Sequence, residues 1–445
     1  MEKLDILELI EQKKYIQLKK ELSEMNEVDI SEILDPLDLQ TTLLVFRMLP
    51  KDTAAEVFSY ISPEQKADII NAVTDKELKY ILDELFFDDM IDLIEEMPAN
   101  VVNKILINST QEERTLINQF LKYPAHSAGS IMTIEYVELK KNMTVKEALE
   151  HIKKTGINKE TIYTCYVTDK KRKLEGIVSL RNLVVSDPDQ SINDIMQEEV
   201  IYVETHDDQE IIANIFKKYG FMALPVVDKE HRLIGIITFD DIMDVMEDEA
   251  TEDFQRMAAM VPSDEAYLDL SVIALAKQRI PWLMILMLGA TVTGGIITKF
   301  ENILSTVVVL TAFIPMLMDT GGNSGNQSST LIIRGLALGN VNQKDIWKVL
   351  WKEFRISLLV GIILASVNFA KNMLFDKVGL NVSLTVSLTV ATTVMLAKMV
   401  GGTLPLIAKK LKLDPAIMAG PLITTIVDAL VLLVYFGVAS ALLIK

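Results

Sequence analysis

One cysteine, Cys165, stands alone in 445 residues. A lone thiol closes no disulfide within the chain and builds no cysteine-ligated zinc site. Histidine is almost as scarce: His126, His151, His206 and His231 are the only four, and no two stand at ligand spacing, which argues against a catalytic transition-metal centre. Oxygen donors are what remain, and they suit Mg²⁺, Ca²⁺ or Mn²⁺. No Walker motif, aspartyl-phosphate signature or nucleophile elbow occurs, so neither an enzyme activity nor an ATP-driven step is expected. The chain opens on Glu2, Lys3 and Asp5 without an apolar run, and no signal peptide is expected there.

Positive charge is missing from the front of the chain. The whole sequence holds 44 Lys+Arg and 62 Asp+Glu; residues 271–445 take 15 and 7 of these, a net of +8, which leaves 29 and 55, a net of −26, for residues 1–270. So acidic a region excludes nucleic acid as a partner, since that needs basic stripes. It suits metal cations or basic surfaces, or it serves solubility alone.

Residues 1–128 read as an acidic helical domain. Between 37 and 98 a short unit recurs, an amphipathic run punctuated by Leu49-Pro50, Ser62-Pro63 or Thr74-Asp75. Pro or Asp at the head of each run marks a helix start, and short helices stacked in this way predict a small solenoid, with an irregular bundle as the plainer alternative. Residues 131–246 hold an internal repeat. One copy runs from Ile131-Met132-Thr133 to Gly176-Ile177-Val178-Ser179, the other from Ile195-Met196 to Gly235-Ile236-Ile237-Thr238. Each copy predicts a helix (145–153, 208–218), an apolar strand (163–168, 223–227), a polar turn, a second strand and a helix start. This duplicated β-α-β-β-α unit resembles a CBS-domain pair, over 129–190 and 191–247, and the resemblance implies ATP or another adenine nucleotide as a ligand. From Asp240 the chain turns helical and acidic, with Asp241, Asp244, Asp248 and Glu252 on one narrow face. This helix is expected to continue towards Leu270, in a connecting segment over 248–275.

Hydropathy changes after Arg279. Apolar runs cover 281–298, 303–338, 354–370, 382–408 and 415–444, and a span needs about 20 residues. Five spans are expected, the second broken or bent because it is too long for one. Lys277 and Arg279 precede the first; Arg334, Lys344, Lys348, Lys352 and Arg355 lie between the second and third; Lys409, Lys410 and Lys412 lie between the fourth and fifth. By the positive-inside rule the N-terminus is cytosolic and the C-terminus outside, in a multi-pass protein of the cell membrane. Two acids fall inside these spans, Asp319 and Asp428. A charge at that depth normally faces a partner or a watery path. Thr424 and Asp428 stand at i and i+4, with Thr425 beside them, so that with a backbone carbonyl freed by Pro421 they form an oxygen-lined wall. In the second span the run 319–329, Asp-Thr-Gly-Gly-Asn-Ser-Gly-Asn-Gln-Ser-Ser, is costly in lipid unless it lines a cavity or packs closely. Gly321, Asn323, Gly325 and Asn326 are the candidate wall residues there.

Pro315 followed by Gly-Gly-Asn-Ser-Gly-Asn-Gln at 321–327, Asp414-Pro415 followed by Gly420-Pro421 and Asp428, and Ala250-Thr251-Glu252-Asp253 are the motifs by which the whole chain resembles the MgtE family of magnesium channels and transporters. The resemblance implies a multi-domain α-helical membrane protein: a helical solenoid N-domain, an α+β CBS-domain pair, a connecting plug helix, and a pore domain of five transmembrane helices over 276–445. It implies a homodimer in the lipid bilayer with its pore on the two-fold axis, where Asp428 faces its copy, Thr424 assists, and Gly420 and Thr425 line the path, while Asp414 at the cytosolic mouth joins the regulatory Mg²⁺ set. It implies that cytosolic Mg²⁺ closes the pore by bridging Asp88 and Asp92, Asp208 and Glu210, Asp241 and Asp244, and Glu252 and Asp253. Gly220 departs from the family's pattern where an acidic ligand is expected, and Gly420 stands where some relatives have Asn. A Mg²⁺, Mn²⁺ or Co²⁺ carrier coupled to Na⁺ or H⁺, and a membrane-anchored nucleotide sensor that moves no ion, are the alternatives.

Overall fold

A computed structural model describes residues 6, 8–10, 12–263, 267–268 and 270–443. The chain divides into two compact units, 1–246 and 247–445.

The first unit opens with short helices whose starts advance by a fixed step. Glu27, Lys51, Asp75 and Ala99 begin one set, and Leu39, Pro63, Phe87 and Gln111 the other, each start 24 residues after the one before. Asn26, Asp38, Ser62, Thr74 and Thr110 cap these helices through their side chains, the last two in capping boxes with Glu77 and Glu113. Glu27–Leu34 packs on Lys51–Tyr60, that on Asp75–Glu84, and that on Ala99–Asn108. Alternate helices therefore stack, and the expected solenoid is present.

Two three-stranded sheets follow. In the first, β1 (Val137–Leu139) runs parallel to β2 (Thr164–Thr168), which pairs antiparallel with β3 (Leu174–Ser179). In the second, β4 (Val203–Glu204), β5 (Ala223–Val227) and β6 (Leu233–Thr238) repeat that order, with the register slip at the same place, Val167/Thr168 and Val226/Val227. The repeat motifs explain one another. A Cβ on Gly235 would lie 2.5 Å from the Thr133 carbonyl and against Met132; one on Gly176 would lie 2.9 Å from the Gln197 carbonyl and against Met196. The strap that opens one copy crosses the glycine strand of the other, so both glycines leave room for backbone.

The helix α1 (Phe239–Met257) is shorter than expected. Ala259 takes a left-handed φ of 54° and Met260 N–H donates to the Gln255 carbonyl, a helix-ending geometry. Residues 264–266 and 269 of the expected connecting helix lie outside the described ones.

The second unit packs α2 (Val272–Lys299), α3 (Ile314–Ala337), α4 (Ile346–Leu374), α5 (Leu380–Lys410) and α6 (Gly420–Leu443). Among the described residues, four helices are long and apolar enough to cross a membrane: Val272–Lys299, Gln343–Leu374, Leu380–Lys410 and Gly420–Leu443. The expected second span is occupied by the helix α3, 24 residues long, which is not among those four. The break expected in that run is real: a helix over Glu301–Thr306 and a 3₁₀ turn over Val308–Phe313 precede α3. Leu283, Leu288, Leu359, Ile362 and Val367 are exposed, an apolar belt suited to lipid. Tyr435, fully buried, donates to the Leu310 carbonyl at 2.9 Å.

Candidate functional site

The helix α3 has two unlike sides. Gly321, Gly322, Ser324, Gly325, Ser328 and Ser329 are buried, whereas Asp319, Asn323, Gln327 and Thr330 are exposed. At 100° per residue these four exposed positions share a face about 80° wide. The glycines serve close packing. A Cβ on Gly321 would meet Val431, Thr393 and Val427; one on Gly322 would meet Thr424 at 2.8 Å; one on Gly401 would lie 2.1 Å from the Gly325 carbonyl. Gly321 and Gly325 thus lie in contacts with α5 and α6, and of the candidate wall residues it is Asn323 that faces outward. Asn326 reaches the other way, accepting from Gly420 N–H at 2.9 Å.

Asp428 lies on α6, one turn beyond Thr424. Its Oδ1 is buried and has no hydrogen-bond partner among the described residues. Thr424 and Thr425 turn their hydroxyls back to the Gly420 and Pro421 carbonyls, at 3.0 and 2.9 Å, and the Thr425 methyl packs so closely on α2 that a Cβ on Gly289 would lie 2.3 Å from it. A buried carboxylate oxygen without a donor is costly, and a cation with its water is one way to satisfy it.

Two further charges in this bundle escaped the sequence reading. Glu353 on α4 is 7% exposed and accepts from the Ser328 hydroxyl at 2.6 Å. Lys398 on α5 is 5% exposed and donates to Gln327 Oε1 at 3.5 Å. Glu353 was legible only as the flank of a span, because its helix starts at Ile346 rather than Phe354. Lys398 lies inside the expected fourth span, where only acids had been weighed.

The start of α6 carries a second cluster. Gly420 has φ 47°, and a Cβ there would lie 2.4 Å from the Met257 carbonyl. Only glycine suits both constraints. Met257 also packs on Ile333, Ala416 and Ala419. Arg256 bonds Glu252 and Asp414. Asp253 beside them is pushed up to about 6, by burial first and then by Asp414, Glu249 and Glu252. Glu252, Asp253 and Asp414 are thus brought together, around a cation of the chain's own.

In the first unit Asp88, Asp89 and Asp92 face Asp241 and Glu160. Burial, then Asp241, Glu160 and Asp89, push Asp88 well above the usual carboxylate range. Burial and then Asp241, Asp240 and Asp89 push Glu160 up to about 8, and its Oε2 is buried without a hydrogen-bond partner among the described residues. Burial, with Asp241 and Asp240 adding and Lys66 opposing, raises Asp89 to about 6; burial and then Asp89, Glu96 and Glu95 raise Asp92 to about 7. Asp241 is raised by burial, against a hydrogen bond from Thr238, with Asp240 and Asp244 adding to the rise. Neither Asp89 nor Glu160 had been singled out in the sequence, where nothing links residue 160 to residue 88. Asp208 and Glu210 lie elsewhere, at the start of Gln209–Tyr219, and Asp208 caps that helix by accepting from Glu210 N–H at 2.9 Å. Gly220 ends the same helix with φ 67°, a left-handed cap that glycine takes without strain. No group of three or more His, Cys, Asp or Glu among the described residues is poised to hold a bare metal ion.

Between the two sheets lies a cavity of about 760 Å³ lined by Tyr163, Arg181, Asn182, Met222 and Pro225 among others. Arg181 is the one charged residue in that lining.

Three family models match this chain: the MgtE divalent cation transporter over 314–438, the MgtE intracellular N domain over 25–126, and the CBS domain over 128–187 and 192–248. The magnesium transporter MgtE of Thermus thermophilus is 38% identical, covering 96% of this chain and 95% of its own. That of Bacillus subtilis is 33% identical over 93% and 94%. The crystal structure of the soluble part of a magnesium transporter covers 56% of this chain and 98% of its own at 32% identity and a TM-score of 0.53. The cytosolic domain of the Mg²⁺ channel MgtE in complex with ATP covers 55% of this chain and 100% of its own at 35% identity and a TM-score of 0.52. With an intracellular N domain, a CBS pair and a bundle of apolar helices behind them, this chain belongs to the MgtE family of magnesium transporters.

Proposed function

We propose that the chain is a Mg²⁺ channel that imports the ion down its electrochemical gradient, works as a homodimer, and is closed by Mg²⁺ on its cytosolic side. One observation carries the pore: the unpartnered, buried Oδ1 of Asp428, in a bundle whose α3 leaves Asp319, Asn323 and Gln327 exposed. Such a polar face has no place against lipid. A second copy set face to face would turn it into a water-filled wall, with five spans per protomer, the N-terminus cytosolic and the C-terminus outside. Two Asp428 carboxylates held close repel unless a cation lies between them. Mg²⁺ sheds water reluctantly, so Asp428 holds it through its hydration shell. A membrane potential draws a divalent ion inward with about 4.6 kcal/mol per 100 mV.

The clusters support closure by Mg²⁺. Asp88, Asp92, Asp241 and Glu160 repel in its absence, and bound Mg²⁺ screens them. Asp241 and Asp244 share α1 with Glu252 and Asp253, so neutralising one end of that helix biases the other, where Met257 and Arg256 hold the start of α6. Moving the balance from 1:99 to 99:1 takes about 10⁴-fold preference for the closed state, shared among several weak sites. The cavity beside Arg181 suits an adenine nucleotide, ATP included, as a second input.

Proteoliposomes carrying the purified chain test the pore. Asp428→Ala is expected to abolish Mg²⁺ uptake while leaving an intact dimer. Uptake at the wild-type rate in that variant would refute the assignment.

A further inference from the structure

Lys398 is a charge the pore reading does not use. It sits on α5 with eleven residues of helix between it and Lys410, deep enough that its charge is expensive in hydrocarbon. Its ammonium makes no ion pair among the described residues; its hydrogen-bond acceptor is the Gln327 side-chain oxygen, 3.5 Å away. Gln327 belongs to the exposed face of α3, two turns along from Asp319. Gly321, two residues from Asp319, packs on Val427, the residue before Asp428. Eight residues at 1.5 Å each place Gln327 about 12 Å along α3 from that level, on the side of Asn326 and its partner Gly420. Glu353 meets the next residue, Ser328, which is only 2% exposed. The carboxylate therefore stands on the packed side of α3, while the ammonium, itself buried, reaches the exposed face through Gln327, so that level of the face has a positive charge close behind it.

Resting on the reading of this face as the ion path, we infer that Lys398 is a specificity-determining residue for release: a tethered cation that weakens Mg²⁺ binding at Asp428 and speeds its exit towards the cytosol. The physics is a trade between holding and letting go. A path conducts when binding is favourable enough to admit the ion and weak enough to free it. Two carboxylates on the two-fold axis hold a divalent ion tightly. A fixed unit charge on each protomer, about two helical turns along the path, lowers that affinity by about tenfold at an effective dielectric between protein and water. By engaging Gln327 Oε1, Lys398 also removes one acceptor oxygen from the face, so the ion meets no second resting place at that level.

The experiment is the Mg²⁺ dependence of uptake by the full chain in proteoliposomes, for wild type, Lys398→Met, Lys398→Gln and Lys398→Arg, with the dimer checked for each. The neutral variants are expected to reach half-maximal uptake at about tenfold lower Mg²⁺ and to show a lower maximal rate. Lys398→Arg is expected to restore both. A merely structural lysine would lower the maximal rate without moving half-saturation to lower Mg²⁺. Lys398→Met and Lys398→Gln differ in packing and in hydrogen bonding, so one that folds suffices. Half-saturation within twofold of wild type in the folded neutral variants would overturn the inference, as would an arginine variant that behaves like them. Asp428→Ala run beside them separates the two failures. Uptake that survives it sinks the path itself; uptake that needs Asp428 but ignores Lys398 sinks only the role of the lysine.

Discussion

The carboxylates of the soluble unit and those of the membrane unit keep different company. Asp88, Asp89, Asp92, Glu160 and Asp241 crowd one another, and each is raised by its neighbours as well as by burial. Among the described residues, Asp428 has Asp319 as its acidic neighbour and an oxygen with no donor. The difference separates two ways of reading the same ion. A crowded cluster responds to any cation that relieves repulsion, weakly and by degrees, which suits a sensor. A carboxylate with few charged neighbours and a free acceptor oxygen holds one ion at one place, which suits a path. The two repeats of the CBS pair make the same point on a smaller scale. Equivalent strand ends carry Ser179-Leu180-Arg181-Asn182 in one copy and Thr238-Phe239-Asp240-Asp241 in the other. The first lines a cavity whose charge is positive, and the second joins the acidic cluster.

The sharpest way to break this comparison is to neutralise the cluster and leave the path alone. Asp88→Asn combined with Asp241→Asn is expected to raise the cytosolic Mg²⁺ needed for half-closure by about tenfold, within the usual range for coupled sites. Uptake at low cytosolic Mg²⁺ should persist. Flux measured against cytosolic Mg²⁺ in proteoliposomes decides this. A double variant that closes at the wild-type concentration would mean that the cluster senses nothing.

A smaller effect is expected where acids already have a cation. Arg256 bonds Glu252 and Asp414, so part of the grip on the start of α6 comes from the chain's own cation. Each partly exposed ion pair contributes about 0.2–1 kcal/mol. Arg256→Ala should therefore raise the closing Mg²⁺ concentration about two- to fivefold in the same assay. An unchanged concentration would leave Met257 and its neighbours as the whole contact.

Much of this was legible in the residues, for physical reasons that also explain the rest. The duplicated sheet could be read because the strap of one copy must cross the other at Gly176 and Gly235, which fixes both motifs. Asp428 could be read because a charge in an apolar run is conspicuous. The Glu160 contribution could not, since residues 88, 160 and 241 meet only in three dimensions. Asp208 was singled out for its charge, yet its carboxylate caps a helix, and composition does not tell a cap from a ligand. The glycines at 321 and 325 looked like wall and proved to be packing, because periodicity shows which residues share a face but not what covers it. Lys398 lay in plain view in an apolar run, and its meaning depends on Gln327, which only the fold brings near.

The smallest expected effect is on stability, and its sign follows from the cluster. Glu160, with a folded value of about 8, Asp92 of about 7 and Asp89 of about 6 all lie above their ordinary range. Below about pH 4 the folded and unfolded chains both hold these protons, so folding carries no penalty there. As the pH rises, the unfolded chain releases them first while the folded chain keeps them, so stability falls, and the loss is complete above about pH 8. Without Mg²⁺, the melting temperature of the soluble unit's transition in the full chain should drop by several degrees between pH 6 and 8.5. Saturating Mg²⁺ should flatten that slope, since ions replace the protons, and Glu160→Gln should flatten it without Mg²⁺. A melting temperature indifferent to pH in chelator, or a slope that Mg²⁺ leaves intact, would show that the crowded carboxylates are relieved by something other than a cation, and the contrast with Asp428 would lose its meaning.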